Sequence, residues 1–226
     1  MKRSGLSRVG GSAGERRVGI ARFCQSLSTF IWAVANGCPW QLDTTCENLA
    51  GCGHLEVLRW AREHGCGWDE WTCARAAADG HLDVLRWARE HGCPWNEDLE
   101  DEDVDCCDLA VRGGHLEVLK WLRKHNCPWS EVTACMHAAL DGQLEVLKWA
   151  RSQGCPWEDT CAYAALSGSL EILQWAREHD CPWDEHTCEN AAENGHLEVL
   201  QWARENECSW DEDTCAGLRK TGNWRC

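Results

Sequence analysis

Residues 181–188 read CPWDEHTC, two cysteines bracketing a histidine at a spacing that invites a metal ion or a redox couple. A zinc site needs four such ligands around one ion, with sulfur near 2.3 Å. The chain has eighteen cysteines in 226 residues, ample for that chemistry. His64 and His91 repeat the theme, each two residues before a cysteine in Glu-His-Gly-Cys. Asp101, Asp103 and Asp105 alternate as the first acids of a calcium loop do. No Gly-rich phosphate loop, Ser/His/Asp arrangement or nucleophile elbow is apparent.

The elements that must position these groups are copies of one unit. GHLEVLRWAREHGCGW begins at residue 53 and recurs, with small changes, at 80, 114, 142, 168 and 195. The steps are 27, 34, 28, 26 and 27 residues. A period in this range means a solenoid, whose units bury a face only by stacking on their neighbours. STFIWAVANGCPW is a degenerate seventh copy ahead of the set, and DEDTCAGLRKTGNW closes it as a truncated unit. Each unit reads as two short helices. In HLEVLQWAREN at 196–206, Leu197, Val199, Leu200, Trp202 and Ala203 share one face, with Glu198, Gln201, Arg204 and Glu205 on the other. The first helix of that unit starts at the cap Asp184 and runs through TCENAAEN to a stop at Gly195. The links are too short for a further element, which makes the chain all-helical.

AAENGHLEVL and segments such as Gly92-Cys93-Pro94-Trp95-Asn96 resemble the ankyrin repeat, through its alanine pair, glycine, H-L-E-V-V and G-A-D-V-N signatures. The resemblance covers residues 25–224 in about seven copies. Ankyrin units run to about 33 residues, so about six are missing here, at the connection that forms the family's projecting β-hairpin; T-P-L-H is reduced to Thr-Cys. The resemblance therefore implies an all-α helix-turn-helix solenoid of six to seven ankyrin-like repeats with shortened β-hairpin fingers, a short Trp/Cys-rich variant. In it the CPW cysteine takes the place of a small Ala, the CPW tryptophan that of a buried Val, and the Thr-Cys cysteine that of a buried Leu.

Aligned in columns, the chemical groups lose their special spacing. Seven cysteines, Cys38 to Cys208, fall in the CPW column and seven, Cys46 to Cys215, in the Thr-Cys column. Free cysteine behaves as a small hydrophobe and is often buried. Equivalent thiols in stacked units should lie about 8–10 Å apart, too far for one zinc ion or a disulfide. Only a cross-column pair such as Cys181 with Cys188 could approach. His186 shares its column with Thr44, Trp71, Asp105, Thr133, Asp159 and Asp213, and His64 and His91 become Gln153 and Asn206 elsewhere. His54, His81, His115 and His196 start second helices, where Gln143 and Ser169 also serve. The acidic stretch NEDLEDEDVDCC lacks the glycine and glutamate of an EF-hand, since Cys106 and Arg112 stand there. Glu56, Glu117 and Glu145 sit three residues before Arg59, Lys120 and Lys148, the pairing of a solvated helix face. No catalytic residue, metal ligand or cofactor is assigned; a thiol-based metal-binding or redox-sensing module is the alternative reading.

Composition narrows the partners. Residues 1–22 carry six Lys/Arg and one acid, whereas the whole chain has a net charge of −15. So acidic a body repels nucleic acid and anionic membrane. Residues 1–24 read as a basic, disordered arm, although an organelle transit peptide shares that composition. Residues 25–224 read as the solenoid, with an acidic loop inserted at 96–106. With no signal peptide or spanning segment in evidence, a monomeric cytoplasmic or nuclear protein with reduced thiols is expected. The expected function is a non-catalytic scaffold for a protein with a basic or mixed-charge surface. Among repeated positions, the second after the Thr-Cys cysteine varies most: Asn48, Arg75, Leu109, His137, Tyr163, Asn190 and Gly217. The resemblance places this column on the concave binding face, so Trp71, Arg75, His137, Tyr163, His186 and Asn190 are the expected partner contacts.

Overall fold

The structure is a computed structural model that describes residues 26–40, 45–94, 105–209 and 214. The basic arm, most of the acidic insertion and nearly all of the closing unit lie outside the described residues. Thirteen α-helices are present among the described residues, and no strand. The first helices of the units are α2 (Thr45–Gly51), α4 (Glu70–Ala78), α6 (Cys106–Arg112), α8 (Glu131–Leu140), α10 (Thr160–Leu166) and α12 (Glu185–Glu193). The second helices are α1 (Leu27–Ala35), α3 (Leu55–Glu63), α5 (Leu82–Glu90), α7 (Leu116–Lys124), α9 (Leu144–Ser152), α11 (Leu170–Glu178) and α13 (Leu197–Glu205). The chain is thus an all-α repeat solenoid, and extended links such as that carrying Cys66 and Trp68 occupy the places of hairpin fingers.

Helices this short are marginal alone and are fixed by their ends and by packing. Asp184 caps α12 by accepting from the His186 amide at 3.1 Å, as expected, and Ser26 caps α1 from Thr29 at 3.2 Å. At the far end of α3 the amide of Cys66 reaches back to the Ala61 carbonyl at 2.9 Å while Gly65 takes φ = 87°. That geometry is a Schellman stop. Later copies place Asn126, Asp180 and Glu207 at the same left-handed position.

The first helices bury alanine and cysteine, the second Val, Leu and Ala. Successive first helices pack on one another through these small side chains more closely than successive second helices do. Each unit is also hooked to the one before it. His81 donates from Nε2 to the Gly51 carbonyl, His115 to that of Ala78 and His196 to that of Leu166, all at 3.0 Å. Gln143 makes the equivalent bond to Arg112. The helix-start histidines are therefore inter-unit ties. Gly80 shows what this demands: its φ is 80°, and a Cβ there would lie 2.5 Å from His115 Nδ1.

Two side chains behave differently from expectation. The CPW tryptophans are half-buried rather than core, each meeting the second-helix tryptophan of the next unit edge-on: Trp157 with Trp175 at 5.7 Å and Trp183 with Trp202 at 5.8 Å between centroids. Such pairs add about 0.5–1.5 kcal/mol beyond the area they bury. The second-helix arginine, expected on a solvated face, is a structural bracket. Arg62, Arg151 and Arg177 lie 4.0–4.2 Å over the rings of Trp68, Trp157 and Trp183. Each of these guanidinium groups also donates to the carbonyl of the next CPW-column cysteine. Arg204 does the same to Cys208 at 2.7 Å. An aromatic plane on the same helix side adds a packing role to an arginine that still lies at the surface. His64, His91, His125 and His179 complete the ladder by stacking on, and bonding to the carbonyl of, the tryptophan one turn earlier.

Candidate functional site

The candidate site is the row of first helices, because each presents residues of like position on the same side. At the N-terminal tips, α4 carries Trp71, 38% exposed, and α8 carries Val132, 50% exposed. α12 carries His186, whose side chain is 64% exposed and which bonds Glu189 at 3.1 Å. One turn further along lie Arg75, His137, Tyr163 and Asn190. An (i, i+4) relation puts Trp71 with Arg75 and His186 with Asn190 on common helix faces.

The structure gives this inner row a second occupation. Arg75 pairs with Glu47 of the preceding unit at 2.8 Å, and its carboxylate partner is largely covered. His137 Nδ1 bonds Asp108 of the preceding unit. Asn190 Nδ2 donates to the Ala162 carbonyl, again one unit back, at 3.1 Å. Tyr163 is half-buried and packed on the core. Three of the six expected contact residues therefore bridge units, and the variation of their column follows the variation of the column before it. Hydrogen bonding from Asp108 holds the His137 pKa above the usual histidine value, against the effect of its burial. Arg112 and Asp141 also face this group. The neighbouring Asp105 caps α6 and is buried; loss of hydration pushes its pKa up to about 6. Sequence reasoning missed Val132, whose apolar side chain at an exposed tip was the available signal.

The cysteines meet within units rather than across the seam. Cys46 Sγ donates to Cys66 Sγ at 2.9 Å. The same pairing joins Cys73 to Cys93, Cys135 to Cys155, Cys161 to Cys181 and Cys188 to Cys208. Cys127 receives both Cys106 and Cys107. The close pairs are cross-column, as expected, but they join Cys161 with Cys181 and Cys188 with Cys208 rather than Cys181 with Cys188. Folding the second helix back along the first brings the thiol after it to the start of its own helix pair. Among the described residues no group of three or more His, Cys, Asp or Glu side chains is placed to hold a metal ion. The open groove between α3 and α5, about 430 Å³, is lined by Arg59, Arg62, Glu63, Trp68, Trp87 and His91, of which Arg62, Trp68, Trp87 and His91 belong to the structural ladder.

Comparison with known proteins agrees with this geometry. Residues 73–123 match the family model described as ankyrin repeats (many copies). Residues 73–123 of the chain are therefore similar to ankyrin repeats. Its fold is similar to the crystal structure of the human ASB11 ankyrin repeat domain, at 13% identity and a TM-score of 0.59 over 73% of this chain and 84% of that one. No curated protein sequence matches. The chain departs from the 33-residue ankyrin unit mainly in its shortened connections. Among the described residues, no helix is long and apolar enough to cross a membrane.

Proposed function

We propose that the chain is a non-catalytic, monomeric scaffold that binds a partner protein along the concave row of first helices. The observation that carries this reading is the set of exposed side chains at the helix tips, Trp71, Val132 and His186. Exposed aromatic residues on a rigid row are what interfaces use as anchors. The inner row, Arg75, His137, Tyr163 and Asn190, forms the floor of the site and keeps successive units in register. Residues 1–24 are proposed as a basic arm, 25–224 as the solenoid and 96–106 as an acidic loop beside it. A net charge of −15 favours a partner with a basic or mixed-charge surface. Free cysteines fit a reducing compartment, cytoplasmic or nuclear.

The test compares the wild-type chain with the Trp71→Ala, Val132→Ser, His186→Ala triple variant. Proteins captured by each are identified by mass spectrometry, and affinity for any wild-type partner is measured at two salt concentrations. Loss of that partner by at least about tenfold with an unchanged melting temperature is expected. An equal affinity for both chains would move the interface elsewhere. Weaker binding at the higher salt is expected as well.

A further inference from the structure

We infer that Cys46 and Cys66 form a site for reversible disulfide formation, repeated in reduced form by the thiol pairs of the later units. The inference does not depend on the partner-binding reading. Two cysteine columns, separated by about one helix pair in sequence, converge on each other in every described unit. A buried wall of small apolar residues needs no such convergence, because alanine or valine would fill either column alone. At 2.9 Å the Cys46 and Cys66 sulfurs are closer than two sulfurs in simple contact, and a disulfide would shorten the gap to about 2.05 Å.

The two members of the pair have different roles. Cys66 is 3% exposed and Cys46 fully buried. Cys46 donates its S–H to Cys66, and the Arg62 guanidinium, bonded to the Cys66 carbonyl, adds positive charge beside it. Both effects hold the Cys66 pKa below the usual thiol value, while donation and burial push that of Cys46 up. Cys66 is therefore the more acidic of the two thiols, and it attacks in its thiolate form. The co-reactant is a hydroperoxide. The Cys66 thiolate attacks its outer oxygen, the O–O bond breaks, and the leaving oxygen departs as hydroxide that takes up a proton as water. Cys66 is then a sulfenic acid. Cys46 attacks the Cys66 sulfur, the S–S bond forms, the S–O bond breaks and a second water leaves. Two thiols and one hydrogen peroxide give one disulfide and two waters, the two electrons passing from sulfur to peroxide oxygen. Reaction with a dithiol such as dithiothreitol reverses the bridge.

Access comes from local opening of the α2–α3 helix pair, where Cys66 keeps 3% exposure.

The experiment uses the full chain, reduced and desalted, exposed under native conditions to hydrogen peroxide in slight excess. Free thiols are then blocked with N-ethylmaleimide in denaturant and the digest is mapped without reduction. The expected product is a Cys46–Cys66 peptide pair that is lost on reduction, with a melting temperature about 5–10 °C higher than that of the reduced chain. In Cys46→Ser, dimedone should label Cys66 and the rise in melting temperature should vanish. Should Cys46→Ser fail to fold, the wild-type map decides alone. The inference is overturned if Cys46 and Cys66 are both recovered as maleimide adducts, if either is driven to sulfinic acid without a link, or if the links found join different units, as Cys181 with Cys188 would.

Discussion

Asp105 and His137 are two residues at which the repeat spends charge inside its own wall, and both make stability depend on pH in the same direction. Burial raises the Asp105 pKa from 3.8 to about 6, so between those values the folded chain holds a proton that the unfolded chain has released. Stability from this group therefore falls as the pH rises through that window. His137 gains a carboxylate partner and its folded pKa is raised above 6.5. Its contribution is fully present below about 6.5 and is lost as the pH rises through the folded value. Asn at position 105 keeps the α6 cap without the buried charge. Asp105→Asn is accordingly expected to raise stability at pH 7 by about 1–3 kcal/mol and to change little below about pH 4. In His137→Gln the loss of stability relative to wild type should be greatest below about pH 6.5 and shrink above it. Thermal melts of the three chains from pH 4 to about 9 measure both trends; a constant offset for His137→Gln would show that Asp108 does not control its titration.

Within an element, the second helix illustrates what the sequence disclosed and what it hid. Its apolar stripe was legible: Val199, Leu200 and Ala203 are buried as the period of 3.6 requires, and only Leu197 on that face is exposed. The role of its arginine was not, because periodicity assigns a side chain to a face but not the plane that waits there. The signal was present in the recurrence of arginine at 62, 89, 123, 151, 177 and 204, a constancy unusual for a solvated position. Lysine cannot replace that group. A guanidinium lies flat over Trp157 while another of its nitrogens donates to the Cys155 carbonyl, whereas an ammonium is a point charge. Arg151→Lys should cost about 1–2 kcal/mol, from the stacking and the carbonyl bond together. Lys148→Arg, on the neighbouring salt-paired and more open position, should be neutral within about 0.5 kcal/mol. Denaturant melts of both variants check the contrast, and equal losses would return Arg151 to the solvated face.

At the scale of the molecule, repetition made the architecture legible: six spaced copies fix helices, stops and stacking order before any contact is known. What repetition could not supply was which neighbour a side chain reaches. The thiol partners were misassigned because a separation of seven residues across a seam looks shorter than twenty around a helix pair, although the fold-back of the chain reverses that order. The inner row was ambiguous for a related reason. Glu47 with Arg75 and Asp108 with His137 lie about one period apart, so their complementarity appears only when adjacent units are compared in register. Those bridges, the histidine ties and the close packing of first helices all act between nearest neighbours. Hydrogen exchange read by mass spectrometry is expected to show faster amides in the second helices than in the first helices of the same units. Arg75→Ala with His137→Ala should speed exchange in α4 and α8 while leaving α12 unchanged, since nearest-neighbour coupling decays over a unit. Uniform exchange along the chain, or a change that reaches α12, would mean that the stack opens as one body instead.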